Sequence, residues 1–303
     1  MDCGAEKLLL FGGLPTRYLA EWDITENLSL AESRVGVTFD TVSQDALLAR
    51  YESLTGEERR EAVELAHDLA EGASSQPLRE MPPAPPVEEV EKATALYIAM
   101  RHFAETRQAD AVTVACGPWI HGELLPVPCV ALMLFQEQGM PAACQGDIDA
   151  LLTMVLFKRA TGLASFMGGA IEAQEHLGIN HCVICRNLPD PGTDLAPYMI
   201  STYHGRKNSP TVWADIPYGE TVTIGRLTKD LDRLLLLSGT LVGNETDNHR
   251  CRNMLVIDVP DRARVFEAVK GIQNHYVVTY GDHAQALAEM AAARGLDVVR
   301  LDR

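Results

Sequence analysis

The chain has 303 residues, 47% apolar and 22% charged, a globular composition that excludes disordered, collagen-like and fibrous chains. No apolar run approaches the ~20 residues that span a bilayer. The net charge of −16, with 10 basic and 21 acidic side chains in residues 1–110, repels phosphate backbones and anionic lipid, so neither a nucleic acid nor a membrane is an expected partner.

The segment Lys7–Gly13 reads as a short buried strand ended by glycines, and residues 35–42 as a second. Ser43 and Thr55 are placed to cap two helices, the second with Glu58 completing a capping box. Residues 72–86 hold five prolines and form a loop. An amphipathic helix then runs from Pro86 to Arg107, followed by a strand over 111–116 that is apolar enough for burial on both faces. A helix over 128–138, a short strand over 140–144 and a helix over 147–161 complete an alternation that predicts a doubly wound parallel sheet. Past residue 162 the texture changes. Strand-like stretches at 221–224, 233–237, 241–242, 254–257 and 276–280, with helix only over 282–294, predict an antiparallel, barrel-like second domain. The expected division is 1–162 and 163–303.

Seven cysteines, an odd number in a chain this large, read as free thiols of a reducing compartment. With an acid at Asp2 and no basic leader before an apolar stretch, the expected location is cytoplasmic. Three clusters concentrate chemistry-bearing side chains. Cys144-Gln145-Gly146-Asp147 lies where a strand end meets a helix start, the usual ligand address of an open α/β sheet; Asp147 also suits a helix N-cap. His181-Cys182-Val183-Ile184-Cys185 offers imidazole and two thiols for soft-metal or redox chemistry, or simply alternates along a buried strand. Residues 271–276 carry Asn274 and His275 on a glycine-led turn. Trp119 and His121, after the 111–116 strand, are expected beside the same cavity, together with Cys116. His249, Cys251 and Arg252 form a further polar group whose role the sequence leaves open.

Taken in order, Cys116-Gly117-Pro118-Trp119, Cys144–Asp147, Ser165-Phe166-Met167, His181-Cys182, and Gly271 to His275 with Tyr280-Gly281-Asp282 resemble the L-fucose/L-arabinose isomerase superfamily. The resemblance implies a parallel middle domain followed by a barrel, a homo-oligomer, a small sugar substrate, and a divalent ion, usually Mn²⁺, held by two carboxylates and a histidine. Such an ion stabilises an enediolate while a carboxylate moves the proton. This chain departs from that pattern. Gln145 stands where the family has glutamate, Gly168-Gly169 stands at the second carboxylate, and little of the family's N-terminal domain is present. His181 and His275 match ligand histidines, and Glu172 and Glu175 are acids near enough in sequence to substitute.

Three functions fit. The first is a divergent enzyme on a small polar, sugar-like substrate, with Gln145, Asp147, Glu172 and Cys182 in catalytic roles and Cys116, Trp119, His121 and Asn274 binding substrate. In it His181 and His275 hold a metal, for which mixed His/Cys donors favour Zn or Fe over Mn. The others are a true aldose–ketose isomerase with substitute acids, and a non-catalytic binding or partner subunit.

Overall fold

Four segments pair in parallel in the order β2-β1-β3-β4: β1 (Glu6–Phe11), β2 (Val37–Val42), β3 (Ala111–Val114) and β4 (Ala142–Ala143). The computed structural model describes residues 5–13, 25, 27–117, 119, 125–188, 195–206, 208–246, 250–269 and 275–303. Leu8 to Phe11 and Ala111 to Val114 are buried throughout, as strands covered on both faces must be. Parallel neighbours require crossovers. After a short α1 (Leu28–Ala31), these are supplied by α2 (Gln44–Glu52), α3 (Gly56–Gly72), α4 (Val87–Thr106) and α5 (Cys129–Glu137). Ser43 caps α2 through the Ala46 amide, and Thr55 with Glu58 forms the predicted capping box on α3.

The helix that matters most is α6 (Ile148–Thr161). Ten successive residues, Ile148 to Phe157, are buried, because α6 lies between β3 and β4 on one side and the barrel strands on the other. Asp147 caps it by accepting the Ala150 amide at 2.9 Å, and Gly162, at φ 74°, ends it in the left-handed conformation.

The second layer is a closed antiparallel barrel of six strands in the order β11-β6-β5-β12-β9-β10, closed by β10 on β11. Its strands are β5 (Phe166–Ala173), β6 (His176–His181), β9 (Thr221–Leu227), β10 (Arg233–Glu245), β11 (Asn253–Asp258) and β12 (His275–Tyr280). Closure depends on the length of β10. One edge of it pairs with β9. The other takes the parallel β13 (Asp297–Arg300) on its first half and β11 on its second, across a register shift at Leu241/Gly243. The hairpin β7 (Tyr198–Thr202) and β8 (Pro210–Ala214) is fastened to the barrel by asparagines: Asn253 Nδ2 donates to Val212 O at 2.7 Å and Asn244 Nδ2 to Ala214 O at 2.9 Å.

The predicted α/β layer followed by a barrel is what the chain forms, with local differences. The two stretches at 233–237 and 241–242 are one strand, with Gly239 in regular register opposite Val222 and a register shift between Leu241 and Gly243 in place of a turn. The strands β5 to β8 and β13, and the helix α7 (Arg262–Val269), were not expected; α8 (Ala284–Ala292) corresponds to the predicted last helix. The strand expected through His181–Cys185 ends at His181. The Val183 amide, which would continue the ladder, donates instead to His181 Nδ1 at 3.1 Å.

Candidate functional site

The cluster forms where the carboxyl end of the parallel sheet abuts the barrel. Cys144 to Asp147 makes a tight turn, with the Asp147 amide donating to Cys144 O at 3.1 Å and both Gln145 (φ 61°) and Gly146 (φ 68°) left-handed, the pattern of a type I′ turn. This turn delivers Asp147 into the interior, fully buried. Its Oδ1 is committed to the helix cap. Its Oδ2 meets His275 Nδ1 at 2.9 Å and Arg226 Nη1 at 3.4 Å. Arg226, also fully buried, donates to His275 O at 2.5 Å and reaches Asp149 Oδ2 at 3.5 Å. Burial alone would raise the Asp147 carboxyl, but the Arg226 guanidinium and His275 outweigh it and bring the pKa down to about 2.

His181, at the end of β6, faces His275 edge to face with ring centroids 5.0 Å apart. The hydrogen bonds fix the two imidazoles in opposite senses. His275 donates from Nδ1 to Asp147, so in the neutral ring Nε2 is an acceptor. His181 accepts the Val183 N–H at Nδ1, so its Nε2 carries the proton and donates. Burial, with His275 adding to it, pushes the His181 pKa well down and keeps that ring neutral. The pair therefore presents one proton acceptor and one proton donor at neighbouring positions.

The structure brings together Asp147, His181 and His275, with Gln145 half-buried on the adjoining turn. Cys116 is below that turn, its Sγ 3.6 Å from Cys144 Sγ. The Cys144 thiol is pushed up by that contact and by burial. Trp119 is wholly buried; a Cβ added at Gly12 would lie 3.6 Å from its ring, and its Nε1 has no hydrogen-bond partner among the described residues. Glu172 is not brought in. It lies on β5 with its side chain 64% exposed and ion-paired to Arg262. Cys182 sits next to His181 but its thiol turns to a separate group with His204 and Cys251, whereas Cys185 is not in that group. His121 and Asn274, with His249, lie outside the described residues. Sequence reading missed Arg226, Asp149 and His204. A lone arginine inside the apolar run Val222–Leu227, and a second acid two residues after Asp147, were the available signals.

The residues around His275 do not fit the hard divalent ion that the family resemblance implies. A histidine that ligates through one nitrogen normally donates from the other, and His181 instead accepts at Nδ1. Asp147 has spent both oxygens on the helix cap, His275 and Arg226. Gln145 is neutral, and Gly169, opposite His275 in register, offers no side chain at all. Gly169 does have open space where a Cβ would sit, while a Cβ on Gly168 would meet Ile179 and the Asn180 backbone at 2.8–2.9 Å.

No family model matches the chain. Among curated proteins it is similar to a sulfoquinovose isomerase of a Clostridium species, 24% identical over 281 residues that cover 88% of this chain and 58% of the relative. Similar too are sulfoquinovose isomerases of Priestia megaterium, 24% identical over 206 residues (65% of this chain, 45% of the relative), and of Alkalicoccus urumqiensis, 24% identical over 212 residues (67% and 47%). The chain spans about half the length of these curated relatives, and its likeness to them is a likeness to sugar isomerases.

Proposed function

We propose that this chain is a divergent, isomerase-like enzyme for a small polar, sugar-like or sugar-derived carbonyl compound, and that His275 and His181, rather than a divalent cation, carry its proton transfers. The observation that carries the reading is the opposite polarity of the two facing imidazoles. In this scheme Asp147 holds the His275 ring so that Nε2 removes the proton from the carbon beside the carbonyl. His181 Nε2–H hydrogen-bonds the carbonyl oxygen as it becomes an enediolate and hands over its proton, which a neutral imidazole can do. As His275 returns its proton to the neighbouring carbon, the second hydroxyl gives its proton back to His181 Nε2 and becomes the new carbonyl, so aldose and ketose interconvert with no net oxidation and both imidazoles end as they began. Arg226 positions both partners through Asp147 Oδ2 and His275 O. Gln145, on the turn, is suited to bind sugar hydroxyls, and Cys116, Trp119, His121 and Asn274 are the further residues proposed to bind substrate. The relatives' names support a sugar as substrate class, and a cytoplasmic homo-oligomer is the expected form.

The test is solvent exchange. The purified chain is incubated with fucose, arabinose, related aldoses and sulfoquinovose in D₂O, and the C2 proton is followed by NMR. Loss of the C2 signal for at least one sugar, unaffected by added Mn²⁺ and abolished in His275→Gln with the sugar still bound, is the expected result. Exchange that appears only with Mn²⁺, or exchange with none of the panel, overturns it.

A further inference from the structure

The thiol group beside His181 serves no step above. We propose that Cys182, His204 and Cys251 form a tetrahedral zinc site with three protein ligands and the fourth position open to water. Cys182 Sγ, Cys251 Sγ and a ring nitrogen of His204 lie within 4.8 Å of one another, and His204 Nε2 is 3.2 Å from Cys251 Sγ. In a tetrahedron with Zn–S near 2.3 Å and Zn–N near 2.0–2.1 Å, neighbouring ligand atoms stand about 3.5–3.8 Å apart. His204 Nε2 and Cys251 Sγ already stand near that spacing, and the widest of the three separations needs to close by no more than about 1.3 Å.

The three come from three separate places: the residue after β6, the turn after β7, and the approach to β11. The site is therefore not the Cys-x-x-Cys that the sequence displays. Two ligand backbones are braced, with Thr211 Oγ1 donating to Cys182 O at 2.6 Å and Asn180 Nδ2 to Cys251 O at 3.0 Å. His204 adopts φ 48°, ψ 33°, a left-handed conformation for a non-glycine residue, and in it reaches Cys251. His204 is exposed while Cys182 is buried, so an ion has a way in. Soft thiolates and an imidazole select zinc over manganese or magnesium. Bound there, zinc would tie the β7–β8 hairpin to the barrel end that carries His181 without touching substrate, and this inference does not depend on the sugar chemistry.

Metal analysis of the full chain purified without chelators is expected to give one zinc per chain. Exchange for Co²⁺ is expected to give a thiolate-to-cobalt charge-transfer band with the intense visible absorption of tetrahedral cobalt. Cys182→Ser and Cys251→Ser abolish the band. His204→Asn, at an exposed position where folding is not at risk, lowers zinc affinity by about 10–100-fold, no less than removal of an outer-shell partner does. Zinc under about a tenth of an equivalent with no cobalt–thiolate band overturns the proposal, as does a Cys182–Cys251 disulfide in the peptide map.

Discussion

Two clusters flank His181, one wholly buried and one that reaches the surface at His204, and they place polar groups inside the fold in opposite ways. On one side Asp147, Asp149, Arg226 and His275 carry charge into a dry interior, and the charges and dipoles answer one another within the protein. On the other, Cys182 and Cys251, with His204 beside them, bring thiols that are pushed toward the neutral form, Cys182 by burial first and Cys251 by its contact with Cys182 and by burial. A charged cluster must be complete on folding, because a buried ion without its partner costs several kcal/mol. A thiol cluster tolerates being incomplete. The first kind suits fixed orientation of a reacting group, the second suits capture of an ion.

The largest expected effect comes from breaking the charged cluster. Arg226→Met leaves Asp147 and Asp149 facing each other without their cation and should destabilise the chain by about 3–5 kcal/mol in urea unfolding. Cys251→Ser, on the thiol side, should cost no more than about 1 kcal/mol in metal-free protein, since it removes one weak hydrogen bond. Equal losses in the two variants would erase the contrast.

Between the clusters, β5 runs antiparallel beside β6. Gly168→Ala drives a methyl to within 2.8–2.9 Å of Ile179 Cγ2 and the Asn180 backbone, just before His181, whereas Gly169→Ala enters open space. The first should cost about 1–3 kcal/mol by overpacking. The second should be within about 0.5 kcal/mol of the parent. Thermal unfolding of the pair decides it. A neutral Gly168→Ala would mean that β6 yields and that His181 is less firmly placed than its contacts imply.

Much of this architecture could be read in advance, and what escaped did so for physical reasons. Continuous apolar runs such as Ala111–Val114 announce strands buried on both faces, and Thr55 with Glu58 announces a helix start, because both signals are local. The strands β5 and β6 were invisible because Phe166–Ala173 and His176–His181 are rich in glycine and polar residues; their stability comes from barrel closure, a non-local property. Asp147 and His275 were singled out from their settings, a strand end and a glycine-led turn. Arg226 was not, since a single arginine in a strand gives no sign of which carboxylates it will meet. The thiol group was misleading in a different way. Cys182 and Cys185 are close in sequence, yet the fold pairs Cys182 with Cys251, 69 positions away.

The turn that delivers Asp147 holds a smaller lever. Gln145 sits at φ 61°, a conformation that costs a non-glycine residue about 1–2 kcal/mol. Gln145→Gly should therefore stabilise the chain by about 1 kcal/mol, read as a rise in unfolding midpoint, while weakening any sugar bound at the turn. A stabilised variant with unchanged sugar binding would remove Gln145 from the substrate side and leave the imidazole pair as the whole of the site.

A small effect also belongs to an ion pair outside both clusters, which shows what full burial adds. Glu58 pairs with Arg50 and closes the capping box on Thr55, and these contacts, Arg50 first, lower its pKa to about 2. Because the folded value lies below the unfolded one, the stabilisation is complete above the ordinary glutamate pKa and fades as pH falls toward about 2. Water screens this site, so Glu58→Gln, which keeps the cap and removes only the charge, should cost under about 1 kcal/mol at pH 7. Parent and variant should converge in acid unfolding below the folded pKa. If the gap at neutral pH instead matched that of Arg226→Met, solvent exposure would not be what separates a surface carboxylate–guanidinium pair from the buried one, and the cost of desolvation could not explain why the charged cluster is built complete.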